Sequence, residues 1–369
     1  MNALLRKIGF SLPIIQAPMA GVSTPAMAAA VSNSGGLGSL GVGAADAETT
    51  RGMIAAVRAA SDRPFNVNVF CNRPAIADRA REAAWLARLA PDFARFGAQP
   101  PAELSEVYTS FVEDDAKLAM LLEERPKVVS FHFGLPPAER IAALRDAGIV
   151  LFATATSLNE ARTIAAAGID AVVAQGFEAG GHRGVFDPEA PDDRLGTCTL
   201  TRLLVRSLEI PVIAAGGIMD GAGVAACLVL GASAAQLGTA FIACPESAAD
   251  AGYRAALLSS ASEHTVLTTA ISGRPARCIA NRFTALGEQA ERGMVPDYPI
   301  AYDAGKALIA AAKAAGEPGF GAHWAGQAAP LARSLPAATL IAELRSELEQ
   351  ALSRLAEYQS GHQEGERGA

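Results

Sequence analysis

The chain has 369 residues, half of them hydrophobic and 19% charged, which is enough for one large α/β domain with an accessory unit. Its net charge of −7 and the lack of a long apolar run argue against nucleic-acid and membrane partners. The five cysteines form no C-x-x-C pair, so neither a disulfide framework nor a zinc site is indicated. We therefore expect a cytoplasmic protein.

Short β-branched runs alternate with alanine-rich stretches along much of the chain, a pattern typical of parallel strands joined by crossover helices. In chain order, the predicted strands are Pro13–Ala17, Leu37–Leu40, Asn66–Phe70, Val128–Phe133, Val150–Thr154, Ala171–Gln175, Val212–Ala215 and Ala234–Gly238. The helices predicted between them include Thr24–Ser34, Ala47–Ala60, Pro137–Ala147, Leu158–Ala167 and Gly221–Leu230. Eight such units predict an α/β fold of the TIM (β/α)8 barrel type. An open doubly wound sheet, the alternative, usually needs fewer strands.

Two segments interrupt this alternation. The first, Arg73–Lys127, contains PDFARFGAQPPAEL, which predicts a helix, a turn and a second helix. The second, Glu246–Gly319, contains two strand-like runs around a Gly-Arg-Pro turn. An amphipathic helix is predicted at Ala337–Glu357. We expect residues 1–72 and 126–245, completed by 330–360, to form the barrel, and residues 73–125 and 246–329 to form a lid or substrate-binding domain.

Because the active site of a TIM barrel lies at the carboxyl ends of its strands, the residues that follow each strand are the candidates for chemistry. Gly216-Gly217 follows the seventh strand and precedes a helix near Gly221, and Gly238-Thr239 ends the eighth. Backbone amides and a helix start in these loops are typical of a phosphate site. The alternative is that the glycines only form tight turns. Flavin mononucleotide (FMN) is a suitable phosphate ligand, because amides in the predicted barrel could bind its ring; the alternative is that these amides cap loops. The amides are Asn68, Gln175 and Gln236.

A histidine, His182, lies in the loop QGFEAGGHRGVF after the sixth strand. Its ordinary pKa near 6.5 suits a base, an acid or an anion contact, although an uninvolved loop histidine is the equal alternative. His132 after the fourth strand is the competing candidate. Arg183 could bind an anion or pair with a carboxylate. No second ligand stands at metal-binding distance in the sequence, so we predict no metal.

Tyr298, Tyr302 and Lys306 are spaced four residues apart, which on a helix places them on one face. An exposed amphipathic surface is the simpler interpretation. If this face belongs to the lid, it offers hydroxyls and a cation to a small anionic substrate, and Tyr108 of the first insertion could join it.

The segments PIIQAPMAGVS, FNVNVF, VVSFHFGLP, QGFEAGGHRG, AAGGIMDG and QLGTAF, taken in order, resemble those of the nitronate monooxygenases, once called 2-nitropropane dioxygenases. The segments HFG, DYPIAYDAGKAL and WAGQAAPLAR resemble the class I type in particular. The likeness covers nearly the whole chain. EAGGH alone is shared with flavin-dependent enoyl and quinone reductases of the same barrel.

This resemblance implies a TIM barrel with a lid and tightly bound FMN. It implies that His182 is the catalytic residue. The flavin contacts it implies are Met19, Asn68, Gln175, Gly180, Gly217, Gln236, Leu237, Gly238 and Thr239. The substrate-side residues it implies are Tyr108, Tyr298, Tyr302 and Lys306, with His132 also matching and its role left open.

The implied reaction is oxidation of an alkyl nitronate, with propionate 3-nitronate as the favoured substrate. One electron passes from the nitronate to FMN, O2 then reacts, and a carbonyl compound and nitrite or nitrate are released. The alternatives are an NAD(P)H-dependent quinone or enoyl reductase on the same barrel, a non-catalytic FMN-binding sensor, and a phosphosugar isomerase. A monomer or a homodimer is expected.

Overall fold

The computed structural model describes residues 2–288 and 293–367, with side chains of the last helix described as far as Glu357. Eight parallel strands form the central sheet, in the order β1-β9-β8-β6-β5-β4-β3-β2. Their bounds are β1 Ile14–Gln16, β2 Gly38–Gly41, β3 Phe65–Phe70, β4 Val128–His132, β5 Val150–Ala155, β6 Ala171–Gln175, β8 Val212–Ala215 and β9 Ala234–Leu237. A parallel bridge between Ile15 and Leu37 joins β1 to β2 and closes the sheet into a barrel. The predicted TIM barrel is confirmed, and each predicted strand matches to within about a residue at either end.

Alternation along the strands divides the barrel wall into two faces, because successive side chains of a strand point to opposite sides. In β4, Val129 and Phe131 pack outward against the helices, while Val128 packs in a separate cluster with Val150 and Ile213 of other strands. Helix α1 (Ala3–Ile8) contributes to this second cluster. Apolar side chains therefore fill the amino-terminal half of the barrel interior, and polar ones are left for the carboxyl-terminal half.

Crossover helices cover the outside of the barrel. They are α2 Pro25–Asn33, α3 Ala47–Ala60, α6 Ala138–Asp146, α7 Leu158–Ala166, α8 Thr197–Ser207, α9 Gly221–Val229 and the short α10 Thr239–Ile242. Side chains of Thr24, Asp46 and Ser157 cap the starts of α2, α3 and α7, which explains why these boundaries were predictable. The last helix, α14 (Ala337–Arg367), packs on α9 and α2 and is longer than predicted.

The two insertions contain the remaining elements: α4 Arg79–Arg95, α5 Asp115–Glu124, α11 Ala251–Leu257, β10 Thr265–Thr268, β11 Ala276–Ile279, α12 Arg282–Glu288 and α13 Ile300–Ala314. The two strands around the Gly-Arg-Pro turn are confirmed as an antiparallel pair. The second helix predicted within PDFARFGAQPPAEL is wrong, since residues 98–104 are irregular and the next helix begins at Asp115.

The insertions share a hydrophobic core of their own. Trp85 and Phe93 of the first insertion pack with Ile271, Phe283 and Leu308 of the second. Asp297 adds a polar link, because it accepts hydrogen bonds from the Arg73 guanidinium and the Ile76 amide. Helix α5, by contrast, buries Met120 and Leu121 against the barrel. The division of the chain into barrel and lid stays a prediction.

A short strand that was not predicted connects the insertions to the barrel. β7 (Gly181–His182) lies in the loop after β6 and pairs antiparallel with β11. The loop that carries His182 is thereby the edge of a three-stranded sheet whose other strands belong to the second insertion. Across the described residues, no helix combines the length and the apolar character needed to cross a membrane.

Candidate active site

A cavity of about 300 Å³ lies at the carboxyl ends of the barrel strands, with walls from the barrel and from both insertions. This is the position expected for the active site of a TIM barrel. Of the residues predicted from the sequence, the cavity is lined by Met19, Asn68, Tyr108, His132, Gln175, Gly180, His182, Gly217, Gln236, Gly238, Thr239, Tyr298, Tyr302 and Lys306. Residues distant in sequence are thus brought to one site.

Leu237 is the predicted residue that the cavity does not include. It follows Gln236 in β9, so the period of two in a strand turns its side chain away from the barrel interior. The side chain is buried against α9 and α14 residues, among them Val224 and Leu344. A ligand in the cavity could therefore meet Leu237 through its backbone alone.

One wall of the cavity consists largely of glycine backbone. Gly216 and Gly217 have φ values of 117° and 68°, a left-handed conformation that glycine adopts at little cost. A Cβ on Gly180 would lie 2.5 Å from the backbone nitrogen of Gly326. The Thr239 hydroxyl accepts a hydrogen bond from that same nitrogen at 3.0 Å. Backbone groups therefore form much of this wall, and there is no room for a side chain at Gly180.

The start of α9, which follows Gly217, already has carboxylate partners, and its contribution to a phosphate site stays a prediction. Asp220 caps α9 by accepting from the Gly223 amide at 2.7 Å, and Glu347 accepts from the Gly221 amide at 2.8 Å. Two carboxylates therefore already accept hydrogen bonds from backbone amides at this helix start. The short helix α10 begins at Thr239, beside the glycine wall.

The three candidate amides differ in how much of their hydrogen-bonding capacity is free. Gln236 lines the cavity, and its side chain has no hydrogen-bond partner within residues 2–288 and 293–357. The Asn68 nitrogen donates to the backbone and hydroxyl oxygens of Ser130 at 3.1 and 2.9 Å. Gln175 donates to the His182 carbonyl at 3.0 Å and accepts from the Gly184 amide at 2.7 Å. Gln236 is therefore the freest to bind a ligand.

Most polar groups of the loop after β6 hold the loop itself. Glu178 accepts from the Thr197 amide and hydroxyl, which caps α8. Arg183 forms a two-pronged ion pair with Asp192 at 2.8 and 3.0 Å and donates to the Gln175 carbonyl. Of the two roles left open for Arg183, the structure shows the carboxylate pair.

His182 projects from this loop into a cluster of aromatic rings. Its ring centroid lies 5.1 Å from that of Trp324, 5.5 Å from Tyr298 and 5.7 Å from Phe133. Its Nε2 lies 2.8 Å from the hydroxyl of Ser272. Burial, then the neighbouring His132 and Arg274, lower the pKa of His182 to about 3. The ring is consequently neutral at physiological pH.

His132 contacts the backbone of the same loop. Its Nδ1 lies 3.1 Å from the Thr154 hydroxyl and its Nε2 lies 3.3 Å from the His182 carbonyl oxygen. Burial lowers the pKa of His132 to about 4, although the bond to the His182 backbone opposes this shift. A neutral His132 is held on both sides and positions His182.

The cavity is lined by Tyr298, Tyr302 and Lys306, as predicted. The three do not lie on one helix, however, because α13 begins at Ile300, after Tyr298. The alternative of an exposed surface is wrong for Tyr298, which is 7% exposed. Tyr108 donates to the Tyr298 hydroxyl at 2.9 Å, and burial raises the pKa of both phenols. Lys306 lies 5.1 Å from the ring centroids of Tyr108 and Tyr302. Burial lowers its pKa.

Sequence reasoning missed two residues that line the cavity, Phe133 and Trp324, and two that are buried outside its wall, Ser272 and Arg274. Phe133 has a φ of 73°, uncommon for a residue with a side chain. Its ring centroid lies 4.3 Å from the Arg274 guanidinium and 5.7 Å from that of His182. Arg274 is 2% exposed, and no carboxylate in the described part of the chain forms an ion pair with it. No local sequence pattern predicts the left-handed backbone of Phe133 or the burial of Arg274. Among the described residues, no three His, Cys, Asp or Glu side chains are grouped as metal ligands.

Comparison with known sequences gives consistent matches over this whole arrangement. Residues 2–347 match the family model described as Nitronate monooxygenase. A nitronate monooxygenase of Paraburkholderia phytofirmans is 64% identical over 357 residues, 97% of this chain and 98% of that protein. One from Pseudomonas aeruginosa is 56% identical over 345 residues, 93% of this chain and 98% of that protein.

Solved structures show the same likeness. Nitroalkane oxidase from Streptomyces ansochromogenes superposes with a TM-score of 0.87 and 43% identity, covering 96% of this chain and 99% of that chain. FabK from Thermotoga maritima superposes with a TM-score of 0.74 and 30% identity, covering 97% and 99%. The barrel and its insertions therefore recur together in these proteins.

The two neutral histidines predict a loss of stability in acid. Their folded-state pKa values of about 3 and 4 lie below the ordinary 6.5, so between these limits the unfolded chain binds more protons than the folded one. The free energy of unfolding should fall as pH drops from 7 to 5, by about 1–2 kcal/mol per histidine. Urea titrations at several pH values measure this.

A variant of one histidine isolates its share of the effect. His182→Asn should make the pH dependence of the free energy of unfolding less steep, because one titrating group is gone. Equal slopes in the His182 variant and the wild-type protein would contradict the assignment of a neutral, buried His182.

Proposed function

We propose a specific activity on one premise: the chain belongs to the nitronate monooxygenase family. As a member it is an oxidoreductase that oxidises nitronates. The proposal is that FMN is its cofactor, that O2 is its oxidant and that propionate 3-nitronate is its substrate. The products are a carbonyl compound and nitrite or nitrate. The observation that carries this proposal is a cavity with a glycine wall on one side and, among tyrosines on the other, a lysine that forms no ion pair in the described part of the chain.

The residues at the glycine wall suit FMN. Backbone amides near Gly217, Gly238 and Thr239 would hold its phosphate, and Gln236, with its free side-chain amide, would hydrogen-bond the flavin. Asn68, Gln175, Met19 and Gly180 would complete the contacts, with Leu237 contributing through its backbone. When bound, FMN supplies the one-electron acceptor that the reaction requires.

The opposite side of the cavity suits a small anion. Lys306 is a cation at the mouth with no ion pair in the described part of the chain, and it would bind the carboxylate of the substrate together with protonated tyrosine hydroxyls. His182 is neutral and would donate a hydrogen bond to a nitronate oxygen. It would serve as a base only for a neutral nitroalkane. The aromatic rings of Phe133, Tyr298 and Trp324 would keep water from the reacting atoms.

A cytoplasmic location and a monomeric or homodimeric state belong to the same proposal. All five cysteines are free thiols, as expected in a reducing compartment. A small anionic nitronate and O2 are the proposed partners.

The decisive experiment is oxygen uptake by the purified protein with propionate 3-nitronate, with and without NADH, after its colour has been recorded. We expect uptake and nitrite release without NADH. Rapid anaerobic bleaching of the flavin by NADH or NADPH, with no oxidation of the nitronate, would instead indicate a reductase. A colourless protein would exclude the FMN-dependent reaction altogether, and a yellow protein inert to both reagents would indicate a sensor.

Replacement of the histidine tests its role. His182→Ala should retain FMN, because the loop is held through the His182 backbone carbonyl by Gln175 and His132. We expect kcat/KM for the nitronate to fall about 10- to 100-fold, the range for losing a hydrogen bond to a charged group. The flavin absorption spectrum controls for cofactor content. Wild-type activity in this variant would remove His182 from catalysis.

Replacement of the lysine tests the carboxylate site. Lys306→Ala should raise KM for propionate 3-nitronate about tenfold and should change KM for an uncharged alkyl nitronate little, because only the former carries a carboxylate. Lys313→Ala is the matched control, since Lys313 lies on the same helix and pairs with Asp250 on the surface. Equal changes for the two substrates would contradict the proposed role.

A further inference from the structure

The two ring nitrogens of His182 have different surroundings. Nε2 lies 2.8 Å from the Ser272 hydroxyl, whereas Nδ1 has no hydrogen-bond partner in the described part of the chain. Since the ring lines the cavity, Nδ1 is the nitrogen that remains for a ligand. Ser272 stands outside the cavity wall and is itself fully buried.

The surroundings of Ser272 account for every hydrogen-bonding site of its hydroxyl. A serine hydroxyl has one proton to donate and two lone pairs. The Arg274 carbonyl lies at 3.2 Å and can accept the proton, and the Arg274 amide approaches one lone pair at 3.4 Å. The second lone pair is left for His182. This arrangement is complete when Nε2 of His182 carries the proton.

A single alternative arrangement exists. The Ser272 hydroxyl can turn from the Arg274 carbonyl to Nε2 of His182 and donate there, which requires that the imidazole proton be on Nδ1. Without a ligand this arrangement has one fewer hydrogen bond, because Nδ1–H has no acceptor and the Arg274 carbonyl loses its donor. With an anion at Nδ1 the loss is recovered, because Nδ1–H then donates to the anion.

Both arrangements require a neutral imidazole, and the surroundings of the ring keep it neutral. His182 lies beside the aromatic ring of Phe133. The nearby His132 and Arg274 act electrostatically against a positive charge on it. Carboxylates that oppose the Arg274 charge, Glu160 and Asp187, act on it without forming an ion pair. A protonated, positively charged His182 is therefore disfavoured, and one proton is shared between two nitrogens.

We propose that Ser272 is a positioning residue whose hydroxyl sets the tautomer of His182, with the proton on Nε2 in the free enzyme and on Nδ1 when a nitronate is bound. This inference rests on the proposed function for the identity of the anion. It makes Nδ1 the atom that meets the substrate. With a neutral nitroalkane the free-enzyme tautomer leaves a lone pair on Nδ1. The α C–H bond breaks, its proton goes to Nδ1, its electron pair forms the C=N bond, and an N=O π pair moves onto oxygen to give the nitronate. The imidazolium formed in this step lies beside the nitronate anion, which offsets its charge.

The first test is nitrogen-15 NMR of the FMN-loaded protein with labelled histidine and no added ligand. The signal of His182 is identified by its loss in His182→Asn. We expect the proton on Nε2 and protected from exchange with water in the wild-type protein, and rapid exchange in Ser272→Ala. A proton on Nδ1 in the free wild-type enzyme, or unchanged protection in Ser272→Ala, would overturn the proposal.

The second test is steady-state oxygen uptake with propionate 3-nitronate. Ser272→Ala removes the donor to Nε2 and should raise KM about 3- to 10-fold, the range for one net hydrogen bond, while FMN content stays constant. Ser272→Thr keeps the hydroxyl and should restore KM. Ser262→Ala, which removes another buried hydroxyl of the same insertion, should change nothing.

The two tests separate the two proposals. If Ser272→Ala and Ser262→Ala give the same KM, or if Ser272→Thr behaves like Ser272→Ala, Ser272 does not position the histidine. If the wild-type enzyme does not oxidise the nitronate at all, the proposed function fails, and the NMR measurement still decides whether Ser272 controls the tautomer.

Discussion

The conformation of the loop after β6 is the constraint on which the rest of the site depends. The barrel binds backbone groups of this loop through Gln175. The Gln175 side chain donates a hydrogen bond to the carbonyl of His182 and accepts one from the amide of Gly184. From the other side, β11 pairs with Gly181 and His182. The backbone of His182 is thereby held by the barrel and by the second insertion, so it can stay in place when the side chain is replaced.

This fixation explains why the motif QGFEAGGHRG is so rich in polar residues while a single one of them, His182, enters the aromatic cluster. Glu178 caps α8 and Arg183 pairs with Asp192. Both charged side chains therefore already have partners outside the cavity. Three of the motif's glycines lie where a Cβ would collide with a neighbour: Gly176 with Thr197, Gly180 with Gly326 and Gly184 with Thr154. Most of the motif is scaffold, and its chemistry is concentrated in one neutral ring.

The electrostatic character of the cavity follows from one cation at its mouth and a second one buried outside its wall. Lys306 lies against two phenol rings at the mouth. Arg274 is buried near Phe133 and donates to the Val185 carbonyl. Burying the Arg274 charge costs free energy. Neutral histidines, protonated tyrosines and the Lys306 cation together form a site suited to a small anion, which agrees with membership of a family that acts on nitronates.

The sequence alone determined the barrel, because strand and helix periods and capping residues are local signals that survive without knowledge of the fold. It also determined which loops face one another, since all parallel strands of a barrel end on the same side. Tertiary structure alone decided the outward turn of Leu237, the occupation of the α9 start by Asp220 and Glu347, and the strand pairing of His182 with β11. It also decided the partners of Ser272 and Arg274, which lie about ninety residues from His182 and Val185 in the chain. Contacts of that range depend on how the insertions fold over the barrel, and no local pattern of residues specifies them.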